Sequence, residues 1–246
     1  MNYTLEIATN DYASTAAAVK GGADRIELCS ALSEGGLTPS YAIIIKCRND
    51  FSLPIFPIIR PRGGDFLYTE EEFEIMKKEV LLCKQAGCDG IVTGFLHADG
   101  SIDKKRISAI VQLAYPLEVT FHRAFDRCKD PFKSMEDIID AGCQRILTSG
   151  QEPKATDGIE LIEQLVKAAD DRIIIMPGSG VRKENIKDLA EKTGATEFHS
   201  SLSSTIKSDM QFIHPAFAAE KGDYLYAGII SEEVEALYRA LKDKSG

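Results

Sequence analysis

The 246-residue chain has no tryptophan, only four histidines, and no CxxC pair among its six cysteines. With Cys29, Cys47, Cys83, Cys88, Cys128 and Cys143 spaced as they are, neither a zinc knuckle nor a disulfide framework is spelled out, and free, mostly buried thiols are expected. No stretch approaches the ~18 apolar residues of a membrane-spanning helix, and the opening MNYTLEIATNDYAS lacks the basic region and apolar run of a signal peptide. Positive charge is also short. The 29 Lys and Arg against 38 Asp and Glu leave a net charge of −9, which argues against nucleic acid or an anionic membrane surface as a partner. Linkers rich in proline or glycine and low-complexity runs are absent, so a cytoplasmic chain forming one domain over residues 1–246 is expected.

Short runs rich in Ile, Val and Phe alternate with helix-like stretches from end to end, the pattern of successive βα units around a parallel sheet. Eight runs qualify as strands: residues 3–8, 24–29, 54–60, 90–94, 117–122, 145–149, 172–177 and 196–199. Thr38-Pro39 and Asp130-Pro131 each pair a side-chain acceptor with a proline, whose missing N–H costs nothing in a first helical turn. Thr69 with Glu72 makes a capping-box pair, and Ser231-Glu232-Glu233 sets acids where the helix dipole favours them. A weak repeat that begins at Gly22, Gly87, Gly142 and Gly194 places a helix-ending glycine before every second strand, at intervals of 52 to 65 residues. Eight units in 246 residues match the ~250 of a closed (β/α)8 TIM barrel. An open doubly wound sheet is the alternative, but it needs no eightfold count. Only residues 200–230 break the rhythm, as a long loop whose Phe212, Phe217, Tyr224 and Tyr226 are expected to pack over the barrel or at an oligomer interface.

Strand side chains alternate between barrel interior and helix layer, and the reactive groups of such barrels come from the carboxyl ends of the strands. Parity turns Leu5, Ile7, Ile26, Leu28, Val119 and Phe121 toward the helices. It turns Thr4, Glu6, Arg25, Glu27, Cys29, Glu118, Thr120 and His122 inward. A barrel interior is ordinarily Val, Ile and Leu, so inward carboxylates, an arginine and a histidine require partners or a function. The third strand ends in Arg60-Pro61-Arg62-Gly63-Gly64 and the fifth in His122-Arg123, which brings Arg60, Arg62 and Arg123 toward Glu6, Glu27 and His122. Arginine suits bidentate recognition of carboxylate or phosphate. The expected roles are Glu6 or Glu27 as general base or acid, His122 as proton donor or orienter, and the arginines as anion holders. An ion-pair network that only locks the barrel is the alternative.

Gly178-Ser179-Gly180 follows the seventh strand, and His199-Ser200 closes the eighth. Loops at these two positions commonly bind phosphate through backbone N–H groups, so these residues join the anion-binding candidates, with a plain tight turn or helix caps as the alternative. No organic cofactor is expected.

Six segments in order, GADRIELCS (22–30), LSEGGLTPS (32–40), IRPRGGDF (59–66), TFHRAFD (120–126), RILTSG (145–150) and EFHS (197–200), resemble the CutC copper homeostasis family over nearly the whole chain. The resemblance implies a TIM barrel, a cytoplasmic homo-oligomer and a role in copper handling, with Cys29 as the residue linked to copper. Cu(I) prefers more than one soft ligand. No second sulfur falls near Cys29 on this reading, which leaves an intermolecular site, a partner such as His122 or His199, or no copper site. Two functions follow from these residues: a copper-binding protein centred on Cys29, or an enzyme acting on a small anionic or phosphorylated metabolite through the interior Glu/Arg/His cluster.

Overall fold

The structure, a computed structural model, describes residues 3–217 and 221–242. Strands and helices alternate as β1 (Thr4–Thr9), α1 (Tyr12–Lys20), β2 (Arg25–Leu28), α2 (Tyr41–Asp50), β3 (Ile55–Pro57), α3 (Glu70–Gln85), β4 (Gly90–Thr93), α4 (Lys104–Ala114), β5 (Glu118–Phe121), α5 (Pro131–Ala141), β6 (Arg145–Thr148), α6 (Ile159–Ala169), β7 (Ile174–Pro177), α7 (Ile186–Thr193) and β8 (Glu197–Ser200). An inserted strand pair then leads to α8 (Ser231–Lys242). All ladders among β1 to β8 are parallel, in two runs ordered β3-β2-β1-β8 and β4-β5-β6-β7. Past the end of β3, Ile58 bridges Val92, and the Ile59 amide donates to the Val92 carbonyl at 2.7 Å, which joins the runs on one side. On the other side β7 lies beside β8. The result is the expected (β/α)8 barrel.

Local chemistry explains the element ends. Thr69 and Glu72 close a reciprocal capping box at α3, and the Asp130 side chain accepts from the Lys133 amide with Pro131 in the first turn of α5. At α2 the cap is Ser40 rather than Thr38. The Thr38 hydroxyl is already committed: it accepts from the Arg60 amide at 2.9 Å and donates to Glu79 at 2.9 Å, tying the loop after β2 to β3 and α3. The four repeat glycines, Gly22, Gly87, Gly142 and Gly194, have φ between +72° and +92°, the left-handed conformation that ends a helix without a Cβ clash.

Strand parity holds. Leu5, Ile7, Ile26, Leu28, Val119 and Phe121 are fully buried in the layer between strands and helices. A smaller apolar group of Cys29, Phe56, Ile58 and Val92 packs separately. Residues 200–230, in contrast, are not loop throughout. Strands β9 (Ser204–Lys207) and β10 (Leu225–Gly228) pair antiparallel, and the Asn10 side chain donates to the Ala227 carbonyl of β10 at 3.4 Å. Of its aromatics, Phe212 is 68%, Phe217 50% and Tyr226 54% exposed, while Tyr224 is partly buried. Among the described residues no helix is long and apolar enough to cross a membrane.

Candidate functional site

Inside the barrel, acidic and basic groups from five strands form one ionic layer. Glu6 of β1 accepts through Oε2 from Arg25 of β2, Arg25 reaches Glu197 of β8 at 2.5 Å, and Glu197 takes Arg145 of β6 at 3.0 Å. Arg145 also reaches Glu118 of β5 at 2.8 Å. Glu6 is completely buried, which by itself disfavours its charge. The Arg25 guanidinium, with His199 and Arg145 farther off, outweighs burial and holds the carboxyl below its ordinary range. Its second oxygen, Oε1, has no hydrogen-bond partner, and His199 Nε2 lies 3.9 Å from it. Glu6 thus belongs with Arg25, not with the arginines at the strand ends.

At the carboxyl rim lies a cavity of about 230 Å³, lined among others by Glu27, Arg60, His122, Arg123, Gly180 and His199. Glu27 Oε2 stands 2.7 Å from His199 Nε2. Burial pushes the His199 imidazole down, but the adjacent Glu27 carboxylate and the more distant Glu6 prevail and raise its pKa. His122 is the opposite case. Burial, reinforced by the Arg60 charge, lowers it to about 3, so the ring is neutral at physiological pH. Its Nδ1 accepts from the Ala124 amide at 3.1 Å, which leaves Nε2 as the protonated nitrogen, and that donor has no partner.

The three arginines part company. Arg60 is buried, donates to the carbonyls of Glu34, Gly36 and Gly64 at 2.6 to 3.0 Å, and keeps an unpartnered Nε. Arg123 lines the cavity and is held by Asp126 at 2.7 Å and the Ser149 hydroxyl at 2.8 Å. Arg62 does not reach the cavity. It pairs with Glu72 at 2.6 Å and Asp65 at 3.0 Å on the outer surface, because the chain leaves β3 before Arg62 and strand alternation no longer applies. Asp126 went unassigned in the sequence, yet its buried carboxylate accepts from Thr148, from the Ser149 amide and hydroxyl, and from Arg123. The polar Thr148-Ser149 pair ending β6 was the available signal.

After β7, Ser179 and Gly180 line the cavity with φ of +77° and +72°, while Gly178 is packed against Leu147 and His199. A left-handed serine is strained and uncommon away from functional turns. The Ser179 hydroxyl donates to the Pro153 carbonyl at 2.8 Å and the Ser200 hydroxyl to Val181 at 2.9 Å, so both point elsewhere; Ser201 lines the cavity instead of Ser200.

Cys29 is buried, and its Sγ lies 3.9 Å from the Glu27 carbonyl. Burial, with Glu27 and Glu6 nearby, pushes the thiol well above its ordinary pKa, the reverse of what a thiolate ligand requires. The apolar neighbours Phe56, Ile58, Val92 and Leu32 supply no second soft donor. Among the described residues, the donor atoms that do converge as a metal-ligating set belong to Glu6, Glu27 and His199.

Comparison with known proteins agrees with this architecture. The CutC family profile matches residues 3–204. The copper homeostasis protein cutC homolog of Homo sapiens is 44% identical over 216 residues, 88% of this chain and 79% of that one. A CutC family protein of Parabacteroides distasonis is 50% identical over 213 residues, 86% of this chain and 88% of that one. The crystal structure of the CutC copper homeostasis protein from Streptococcus agalactiae superposes with a TM-score of 0.77 at 31% identity, covering 81% of this chain and 98% of that one. Thiamine phosphate pyrophosphorylase from Pyrococcus furiosus, at 14% identity and a TM-score of 0.60, shares the fold alone. With the profile and these relatives spanning most of its length, the chain belongs to the CutC family.

Proposed function

We propose that this protein serves copper homeostasis, the role named for its human and mouse relatives, and that its working part is the rim cavity, which takes a small anionic or phosphorylated metabolite. One observation carries the second half of that reading: two buried donors, His122 Nε2 and Arg60 Nε, stand without acceptors on residues that line the cavity. Each unpartnered buried donor costs about 1–3 kcal/mol, a cost that an acceptor oxygen of a bound ligand would remove. Arg123, held in place by Asp126, supplies a further cation, and the left-handed Ser179-Gly180 turn brings backbone to the same cavity.

Acting as an enzyme, the site would use Glu27 and His199 as its proton-transfer pair, with Glu6 behind them. The neutral His122 would donate a hydrogen bond to a developing oxyanion instead of shuttling a proton. We read the chain as one barrel domain working in the cytoplasm as a homo-oligomer, and the exposed Phe212 and Phe217 support the last of these.

Calorimetric titration with inorganic phosphate and small phosphorylated sugars tests the cavity. Arg123→Gln and His122→Ala should each weaken binding about tenfold or more, as loss of a hydrogen bond to a charged group predicts. Equal affinity in wild type and both variants removes the reading. The Cu(I) form of the copper role would put the ion on Cys29, whose apolar surroundings offer no second soft donor. A Cu(I) titration in which Cys29→Ser loses one equivalent supports it, and an unchanged titration removes it.

A further inference from the structure

We propose that Glu6, Glu27 and His199 form a divalent-cation site in the barrel interior, with one coordination position open to the rim cavity. This goes beyond the anion-binding reading and does not depend on it.

Three observations carry the proposal. The donor atoms of these side chains all lie within 4.8 Å of one another, and all three residues are buried. Glu6 Oε1 is a fully buried carboxylate oxygen with no hydrogen-bond donor, although the charge of its group is met by Arg25 at Oε2. Arg25 engages only the other oxygen, Oε2, and so fixes the carboxylate while leaving Oε1 free, as an outer partner does for a ligating group.

The fit is close. Tetrahedral bonds of about 2.1 Å put neighbouring ligand atoms about 3.4 Å apart. Glu6 Oε1 and His199 Nε2 are 3.9 Å apart and Glu27 Oε2 and His199 Nε2 2.7 Å, so one pair closes and the other opens by roughly half an ångström or more, the two carboxylates draw together from within 4.8 Å, and the proton shared by Glu27 and His199 leaves as the ion binds. Glu27 and His199 line the cavity, so a cation here would keep a position for water or a substrate oxygen.

The donor set also selects the ion. Two carboxylates and one imidazole are ligands for borderline and hard divalent ions, with Cu(II) bound more tightly than Zn(II) or Mn(II), and they offer nothing soft to Cu(I). A copper link through this site would therefore run through the oxidised ion and would not involve Cys29. In the loaded state Glu27 would be a ligand rather than a base.

The test is titration of the chelator-treated full-length protein with Zn(II) and Mn(II), followed by calorimetry, and electron paramagnetic resonance of the Cu(II) adduct. One equivalent should bind, and Glu6→Gln, Glu27→Gln and His199→Gln should each lose at least about tenfold in affinity. The surface variant His97→Gln/His214→Gln should bind as wild type does. The Cu(II) spectrum of the wild-type protein, which needs no variant to fold, should show nitrogen coupling from a single imidazole. Absence of stoichiometric binding, full binding by His199→Gln, loss in the surface variant, or a thiolate-ligated Cu(II) spectrum would each overturn the site. Phosphate titration of the chelator-treated protein, run in parallel, shows whether the anion reading stands or fails separately.

Discussion

Arg25 and Arg145 share a single oxygen: Glu197 Oε2 lies 2.5 Å from the Nη2 of the first and 3.0 Å from the Nε of the second. Both guanidinium groups also lie over the Phe56 ring, 5.2 and 5.3 Å from its centroid. β2, β3, β6 and β8 are joined through that one carboxylate and one ring.

Glu197→Ala should therefore leave two buried cations short of a partner at once. A loss of about 3–5 kcal/mol is expected, since removing one member of a buried ion network strands the other. Urea unfolding measures it, and a change below about 1 kcal/mol, the worth of a surface pair, would show that the layer is not coupled.

Asp126 organises the loop after β6 and holds Arg123 in the cavity wall. Asp126→Ala should cost about 2–4 kcal/mol in stability by unsatisfying several buried donors. It should also weaken phosphate binding, because Arg123 loses the contact that orients it. Retained phosphate affinity would separate Arg123 from the site.

His122 gives a pH signature. Its folded-state pKa of about 3 lies below the usual 6.5, so between those values the unfolded chain takes up a proton that the folded chain does not. Stability should fall as pH drops from 6.5 toward 3, and His122→Asn should lack that part of the loss. The ring resonances of His122 should show no titration between pH 5 and 8; a midpoint within that window would refute the neutral imidazole.

Arg60 and Arg62, two residues apart, should behave differently. Arg62→Ala removes partly exposed pairs and should cost no more than about 1 kcal/mol, with phosphate affinity unchanged. Arg60→Met strips three carbonyls of their donor and a cavity wall of its cation. It should cost about 2–4 kcal/mol and weaken phosphate binding. Equal effects of the two changes would contradict the placement.

Much of this was legible in the chain itself. Alternation within each strand told which side chains enter the barrel, and the glycine repeat with its capping residues marked the βα units, because both are local properties of pleat and dihedral angle. Partnership was not legible. Parity assigns a face but not a height along the barrel axis, so Glu6 and Glu27, both inward, could not be sorted between Arg25 and the rim. The match of Glu27 with His199 arises because closure sets β8 against β1, at a sequence separation of 172 residues. Arg62 and Asp126 lie past their strands, where backbone turns rather than alternation decide direction. Residue order thus determined the barrel and its inward charges. Only the closed tertiary structure, by its register and stagger, decided which of those charges neutralise one another and which single polar atoms, such as Glu6 Oε1 and His122 Nε2, are left without a hydrogen-bond partner.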